Sequence, residues 1–415
     1  METSRLYSIA HDAFRTIVPA LQDRESLTLR TLPNAHLYWI PYLFLAYLVR
    51  RENTHLLRIL LFPIVVLTTI ACTYHYRCDS DAFLIWEFQR GLCPFIVLAL
   101  SIDFACVREG RFRIGEKKLR PMFGHQEEDN RDHLLPLWLH DALDVGLAFR
   151  GIGWDFGDGY LVPSRRPTER GAFLWTTFLE ILKKVLIVDF IDSFVKLVPN
   201  LGTPSGGSIF FPGLPPIQRY TFSTILNVAI ELLMNLGFDV SFNCVTFIGV
   251  ALHVRDPSYW REFQDKPWLA SSLHELWSKR WHQVWRHPFM IVGGYSGGWI
   301  AGRVGALMGT FLASGLYHEC GIFLLGKGVD HRVTLFFLLH GVGVLLEGVW
   351  RKLTGKKVGG IMGRVLVALS LLGLGQILSD SFGLAGIAGA TIIPWQLSPT
   401  RLLLFPLIRY FIPSF

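Results

Sequence analysis

The sequence predicts an all-α, multi-pass integral membrane protein, and three observations carry that prediction. Of 415 residues, 51% are hydrophobic and 13% aromatic, while only 18% are charged; a soluble domain of this size carries about 25% charged residues. The apolar residues gather in runs, and a helix of roughly 20 such residues crosses a hydrocarbon core. The basic excess, a net charge of +7, falls between those runs instead of along one face. That reads as a topology signal and argues against a nucleic-acid surface.

The runs lie near 37–49, 57–72, 82–107, 171–198, 220–254, 299–325, 332–350, 362–380 and 383–413. With the fifth and the last counted as one or two passes each, they give about eight to ten transmembrane helices. The opening stretch METSRLYSIAHDAFRTIVPA lacks a basic leader followed by an apolar core and a small-residue cleavage site, so an uncleaved first span is expected. Lys and Arg cluster at Arg50, Arg51 and Arg58, throughout 108–170, through 255–286, and at Arg351, Lys352, Lys356, Lys357 and Arg364. By the positive-inside rule all four stretches are expected on the cytoplasmic side. Two spans separate the first pair of stretches and two the last pair, as a consistent topology demands. Between 170 and 255 the count stays open, because 220–254 reads as one kinked pass or as two short ones about Gly237. The stretch 199–216 has Pro or Gly at nine of 18 positions and is not helix; a lumenal or re-entrant loop is expected there.

No low-complexity linker and no repeat of 20–50 residues divides the chain, so a single integral domain over 1–415 is the economical reading. Missing matched halves also weigh against a transporter, a fold class often built from repeats. The six cysteines, at 72, 78, 93, 106, 244 and 320, form neither C-x-x-C nor a zinc spacing, which indicates neither a disulfide scaffold nor a metal site.

The chemistry concentrates in two segments. The run 304–325, VGALMGTFLASGLYHECGIFLL, carries His318 and Glu319 side by side, and an ionisable pair inside a span is a functional site by default. Upstream, 268–289 reads WLASSLHELWSKRWHQVWRHPF. At helical spacing Leu273, Trp277, Trp281 and Trp285 form one stripe, and His274, Ser278, His282 and Arg286 another about 100° round the helix. A Trp-rich interfacial helix is expected, its tryptophans at headgroup level and its polar stripe facing protein or substrate. Gly305, Gly309 and Ala313 recur every four residues on the His318 helix, a pattern for close helix packing.

The string L-H-E-L-W-S-K-R-W-H-Q-V-W-R at 273–286, followed by S-G-L-Y-H-E at 314–319, resembles the wax-synthase-like branch of the membrane-bound O-acyltransferases. R-G-I-G-W at 150–154 and H-G-V-G-V-L-L-E at 340–347 extend the likeness, which covers roughly 135–350 and is closest to fungal members that acetylate terpenoid and meroterpenoid alcohols. The resemblance implies transfer of an acyl group from acyl-CoA to a hydroxyl in a chamber within the bilayer. It makes His318 the catalytic histidine and His282 the second position, with Ser314, Glu319 and Glu347 in support. Plant wax synthases often carry Asn where His282 stands, so its role is to position the thioester or alcohol or to move a proton. The chemistry fits: an aliphatic hydroxyl attacks a thioester only as a base removes its proton, and a neutral imidazole serves near neutral pH. His282, or backbone N–H groups near it, would supply a donor to the oxyanion. Lys279, Arg280 and Arg286 are candidates for the CoA phosphates. Glu347 would orient the His318 ring or form a structural ion pair.

Three rival constellations carry less. His140 and Asp144 match the H-x-x-x-D of soluble acyltransferases, with Asp155-Phe156-Gly157 a faint echo of a second motif, but an i,i+4 pair on a surface helix accounts for them. Asp189 and Asp192 form a lone D-x-x-D, better read as charge pairing with Lys183, Lys184 or Lys196 than as a Mg²⁺ site. His318-Glu319 begins an H-E-x-x-H, but Ile322 removes the second zinc ligand.

The expectation is therefore an acyltransferase of the endoplasmic reticulum that moves an acetyl group from acetyl-CoA to a lipophilic alcohol, with no bound cofactor, no metal and no nucleic-acid partner. A long-chain wax-ester or sterol O-acyltransferase and a non-enzymatic transporter are the alternatives. Its sidedness is testable: protease added to sealed microsomes should cut within 108–170, and protection there would overturn the topology.

Overall fold

The computed structural model describes residues 2–121, 136–157, 162, 164–254 and 256–412. Part of the basic stretch 108–170, together with Arg255 and the last residue of the final apolar run, lies outside the described residues. The chain is helical almost throughout. The helices are α1 (Glu2–Ile17), α2 (Trp39–Val49), α3 (His55–Tyr74), α4 (Leu84–Cys106), α5 (Leu137–Gly146), α6 (Arg170–Val195), α7 (Pro216–Ala251), the broken α8 (Arg286–Leu324), α9 (His331–Thr354), α10 (Gly360–Leu384) and α11 (Phe405–Phe411). Two-residue strands Glu25–Ser26 and Tyr76–Arg77 pair in parallel.

Six of these helices are long and apolar enough to cross a membrane among the described residues: α4 with the turn before it, α3, and α7 to α10. The count of eight to ten read from hydropathy is too high for three reasons. The run 37–49 yields only the 11 residues of α2, about 16 Å of helix. The run 171–198 makes the 26-residue α6, but Glu180, Lys183, Lys184, Asp189 and Asp192 dilute it. The run 383–413 breaks into single turns and the seven-residue α11. The open question at 220–254 resolves as one helix of 36 residues that passes through Gly237 unbroken.

The chain divides into two compact units, each assembled from separated stretches: Met1–Ser80, Trp86–Gly159 and Val284–Val329 in the first; Asp81–Ile85, Tyr160–Gln283 and Asp330–Phe415 in the second. In the first unit buried arginines close helix ends, whose last carbonyls lack intrahelical partners. Arg58 donates to the carbonyls of Phe104, Val107 and Arg108 at the end of α4. Arg90, paired with Glu87 at 2.8 Å, donates to Thr73 O and Tyr76 O at the end of α3. Tyr42 on α2 reaches the Gly146 carbonyl at the end of α5 at 2.6 Å.

The most constrained element of that unit is α8. Its helix is interrupted by Ala301 (φ −138°, ψ 30°) and Gly302 (φ 55°, ψ −139°), and the second torsion pair is one that glycine alone adopts cheaply. The chain folds back there. A Cβ on Gly293 would lie 1.9 Å from the Gly309 carbonyl oxygen, and one on Gly297 would lie 2.1 Å from that of Gly305. The glycine spacing read as close packing is thus a seam between two antiparallel arms, 286–300 and 303–324. At 1.5 Å per residue the arms measure about 22 Å and 33 Å, so only the second matches a hydrocarbon core of about 30 Å. Arg286 and Leu324 lie on the same side of the turn.

In the second unit α7 packs along α6 and α10. Val188, Val195, Leu201, Ile209, Leu226, Ile230 and Leu233 form its core cluster. The Pro- and Gly-rich stretch 199–216 is non-helical, as expected. It is pinned to α10 by Asp380, which accepts from Ser208 Oγ at 2.6 Å and Ile209 N at 3.0 Å. Lys196 donates to Ala388 O and Ala390 O.

The seam makes a sharp demand on side-chain size. Gly309→Ala puts a methyl 2.0 Å from the Gly293 carbonyl, an overlap that costs about 1–3 kcal/mol or more. Gly298→Ala, whose nearest neighbour is Ala306 Cβ at 3.4 Å, should be tolerated. Thermal unfolding followed by size-exclusion fluorescence in mild detergent should separate the two; equal melting temperatures would refute a close hairpin.

Candidate active site

His318 sits in the second arm of α8, within the first unit. Its Nδ1 lies 2.7 Å from the Ser314 carbonyl oxygen, one turn back. A carbonyl only accepts, so the proton of the neutral ring belongs on Nδ1 and Nε2 holds the basic lone pair. Ser314, expected in support, acts through its backbone. The preceding residue, Tyr317, is buried at the centre of an aromatic cluster: Phe95 of α4 at 5.7 Å, Phe289 at 5.4 Å and Trp285 at 6.0 Å between ring centroids. Trp285 also meets Phe149 at 5.5 Å. The hairpin register explains the pairing. Gly293 with Gly309, Gly297 with Gly305 and Trp285 with Tyr317 are all spaced equally about Ala301, so Val284 falls opposite His318. Glu319 is buried beside it.

The 268–289 segment is not the continuous helix that its periodicity predicts. It turns as Leu273–Glu275 and a π-turn Leu276–Arg280, extends at Trp281 (φ −73°, ψ 155°), and resumes as helix only at Arg286. The polar stripe therefore ends at Ser278, and the backbone places His282 outside any helix. Side chains stabilise the break. Gln283 Nε2 donates to Trp281 O at 2.7 Å and Trp277 O at 3.2 Å, and Asp265 N donates to Arg280 O at 2.9 Å. These bonds occupy carbonyls that the helix no longer satisfies.

Within the second unit the His282 ring lies against Trp281 at 5.1 Å, Phe263 at 5.7 Å and Phe238 of α7 at 6.0 Å. His282 and His318 thus fall in different units, each held by aromatic rings of its own unit. The tryptophans, expected at headgroup level, are packed instead: Trp277 against Phe336, Phe337 and His340 of α9, and Trp285 in the Tyr317 cluster.

The candidate CoA contacts divide. Arg280 is committed to structure, donating to Glu275 at 2.7 Å and to Asp265 O at 3.0 Å. Burial raises the Glu275 carboxyl, but hydrogen bonds from Ser271 and the Arg280 charge outweigh it and hold the group below the usual carboxylate range. Lys279 and Arg286 are exposed. Glu347 does not orient an imidazole. Its two oxygens accept from Leu273 N at 2.7 Å and His274 N at 2.9 Å, an anionic cap on orphan amides where a helical turn begins.

The rival constellations resolve as structure. Asp144 pairs with Arg113 rather than with His140, and Asp155 lies 3.5 Å from Arg111. Asp192 pairs with Lys196 at 3.2 Å and Arg401 at 2.5 Å, while Asp189 accepts from Thr400 N. Lys183 and Lys184 pair with Glu180 instead.

One feature went unread in the sequence although its signal was there. Ser223, Asn227, Glu231, Asn235, Asp239 and Asn243 recur every four residues along the otherwise apolar α7. Most carry a partner: Gln376 for Ser223, Ser379 for Asn227, Gln264 for Asn235, Lys184 for Asp239 and Arg166 for Asn243. Singling out Glu231 alone concealed the period. The rings that flank His282 and Tyr317 carry no such period, because Phe238, Phe263 and Phe95 come from distant stretches.

Comparison with known proteins bears on the segment that holds both histidines. Residues 260–339 match the model of the Membrane bound O-acyl transferase family. An acetyltransferase, sirH, of Emericella nidulans is 24% identical over 194 residues, 46% of this chain and 42% of that protein. A second acetyltransferase, atnC, of an Arthrinium species is 20% identical over 331 residues, 71% of this chain and 75% of that protein. The long-chain-alcohol O-fatty-acyltransferase of Simmondsia chinensis is 33% identical over 162 residues, 36% of this chain and 45% of that protein. The match thus spans less than half of the sirH protein and of the Simmondsia enzyme. The likeness carried by 273–286 and 314–319 is the likeness that these comparisons return: over the stretch bearing His282 and His318, the chain is similar to the membrane bound O-acyl transferases.

Proposed function

We propose that this chain is an acyl-CoA-dependent O-acyltransferase that moves an acetyl group from acetyl-CoA to a hydroxyl of a lipophilic terpenoid or meroterpenoid alcohol, with His318 as general base. The observation that carries the reading is the Nδ1 bond of His318 to the Ser314 carbonyl, within a segment that matches the acyltransferase family. It leaves Nε2 to take a proton, as deprotonating an alcohol during attack on a thioester requires.

In this reading the alcohol oxygen attacks the thioester carbonyl carbon as its proton passes to Nε2. The oxyanion that forms takes a hydrogen bond from His282 or from an amide near it. Collapse breaks the C–S bond, and the imidazolium returns its proton to the CoA thiolate. The apolar helices favour an acceptor that arrives from the lipid phase, while CoA, a polyanion, arrives from water beside Lys279 and Arg286. The endoplasmic reticulum membrane is the expected location.

The acetyl donor rests on the fungal relatives, whose names say acetyltransferase. A second reading, transfer of a long acyl chain to a long-chain alcohol, is favoured by the 33% identity to the Simmondsia enzyme. Membranes given acetyl-CoA and a long-chain acyl-CoA in competition decide between them.

His318→Ala should lower transfer from labelled acetyl-CoA by about 10²–10⁴, the usual contribution of a general base, while the protein still accumulates in membranes. Near-wild-type turnover would make His318 structural. His282→Ala should also be severe, and His282→Asn milder, because Asn still donates a hydrogen bond.

The acceptor should be a terpenoid, sterol or fatty alcohol. Stripping water from the many hydroxyls of a free sugar is costly, so efficient acetylation of a sugar, with no activity on those lipophilic alcohols, would contradict entry from the lipid side.

A further inference from the structure

The polar stripe of α7 contains one group whose partners do not account for it. Glu231 stands near the middle of a helix apolar enough to cross a membrane, where a carboxyl is expensive to place and marks function by default. Among the described residues no cation pairs with it; its neighbours are the Asn227 side chain and the bare backbone of Gly375 on α10. A Cβ at position 375 would lie 2.1 Å from Glu231 Oε1, and 3.1 Å from Asn227 Oδ1. The facing helix has therefore given up its side chain where the carboxyl sits. Asn227 is itself held by Ser379 Oγ at 2.7 Å, and one turn further on Asn235 and Gln264 satisfy each other at 3.0 Å.

The position of Glu231 along α7 gives it a relation to the candidate site. Phe238, whose ring lies 6.0 Å from that of His282, is seven residues on. Seven residues are within about 20° of two full helical turns and about 10 Å of rise. Glu231 and Phe238 thus share a face of α7, the carboxyl about 10 Å from the ring that flanks His282. All of these residues belong to the second unit.

We infer that Glu231 is a specificity-determining residue that hydrogen-bonds a second polar group of the acceptor, a hydroxyl or carbonyl about 10 Å from the hydroxyl that is acylated. This inference rests on the acyltransferase reading and narrows its substrate class. The acceptor is an elongated, rigid polycycle of three or four fused rings, oxygenated at both ends, rather than a simple fatty alcohol with a single polar end. A carboxyl suits the task because it accepts from a hydroxyl when ionised and donates to a carbonyl when protonated. Asn227, fixed by Ser379, borders the same place.

The test uses membranes carrying the full chain, labelled acetyl-CoA, and two steroids that share a ring-A hydroxyl and differ only in a second hydroxyl on ring D. The wild type should favour the diol in kcat/KM by about tenfold, the scale of one buried hydrogen bond, with the ring-A ester as product. Glu231→Leu should bring that ratio close to one, chiefly through a higher KM for the diol, and Glu231→Gln should restore part of it. Gly375→Ala, whose methyl intrudes on the carboxyl, should act like Glu231→Leu and takes its place if the leucine variant fails to accumulate. A diol preference that survives these changes, or one absent from the wild type while the mono-ol is acetylated, overturns this inference alone. Failure of the wild type to acylate any alcohol would bring down the acyltransferase reading and this inference together.

Discussion

Two helical arms can lie with their backbones in contact only where both present hydrogen in place of a side chain. In α8 this constraint is met at Gly293 against Gly309 and at Gly297 against Gly305. Much of the first unit follows from it. The seam fixes the register of the hairpin, the register sets Trp285 beside Tyr317, and the aromatic cluster on Tyr317 holds the turn of helix from which His318 projects. In lipid, where helices gain nothing from hiding apolar surface from one another, such close contact is a main source of cohesion.

A second constraint is that backbone groups without an intrahelical partner still need one where water is scarce. Charged side chains meet it repeatedly here. Arg58 and Arg90 close the ends of α4 and α3, Glu347 caps the start of the turn at Leu273, and Lys196 gathers the carbonyls of Ala388 and Ala390. Arg58 belongs to a cluster that marks sidedness in the sequence, and in the fold it is buried and bonded. A basic residue at the end of a membrane helix therefore carries two duties, and only the first is visible in composition.

The same logic separates the residues that are free for chemistry from those that hold the site. Arg280 stands in the motif with Lys279 and Arg286, yet its guanidinium is occupied by Glu275 and the Asp265 carbonyl. His318 keeps Nε2 as its basic nitrogen because the Ser314 carbonyl claims the other. His282 owes its place to an extended backbone at Trp281 that Gln283 stabilises, whereas helical phase would have set it in line with His274 and Ser278.

Period and composition in the sequence by themselves determined that the chain is helical and membrane-embedded, that 199–216 is not helix, and that 273–286 and 314–319 carry the chemistry. These are local properties: hydropathy of a run, turn content, residue type at a given spacing. Tertiary structure decided the rest. Whether 286–324 crosses once or folds back depends on contacts between residues 16 apart at Gly293 and Gly309, and hydropathy is blind to direction. Whether 268–289 stays helical depends on Asp265 and Gln283 taking over carbonyls after the break, which no period records. Whether Glu347 orients a ring or caps a helix depends on which segment packs against α9. A single chain's sequence lists the groups that can bond, and only packing assigns their partners.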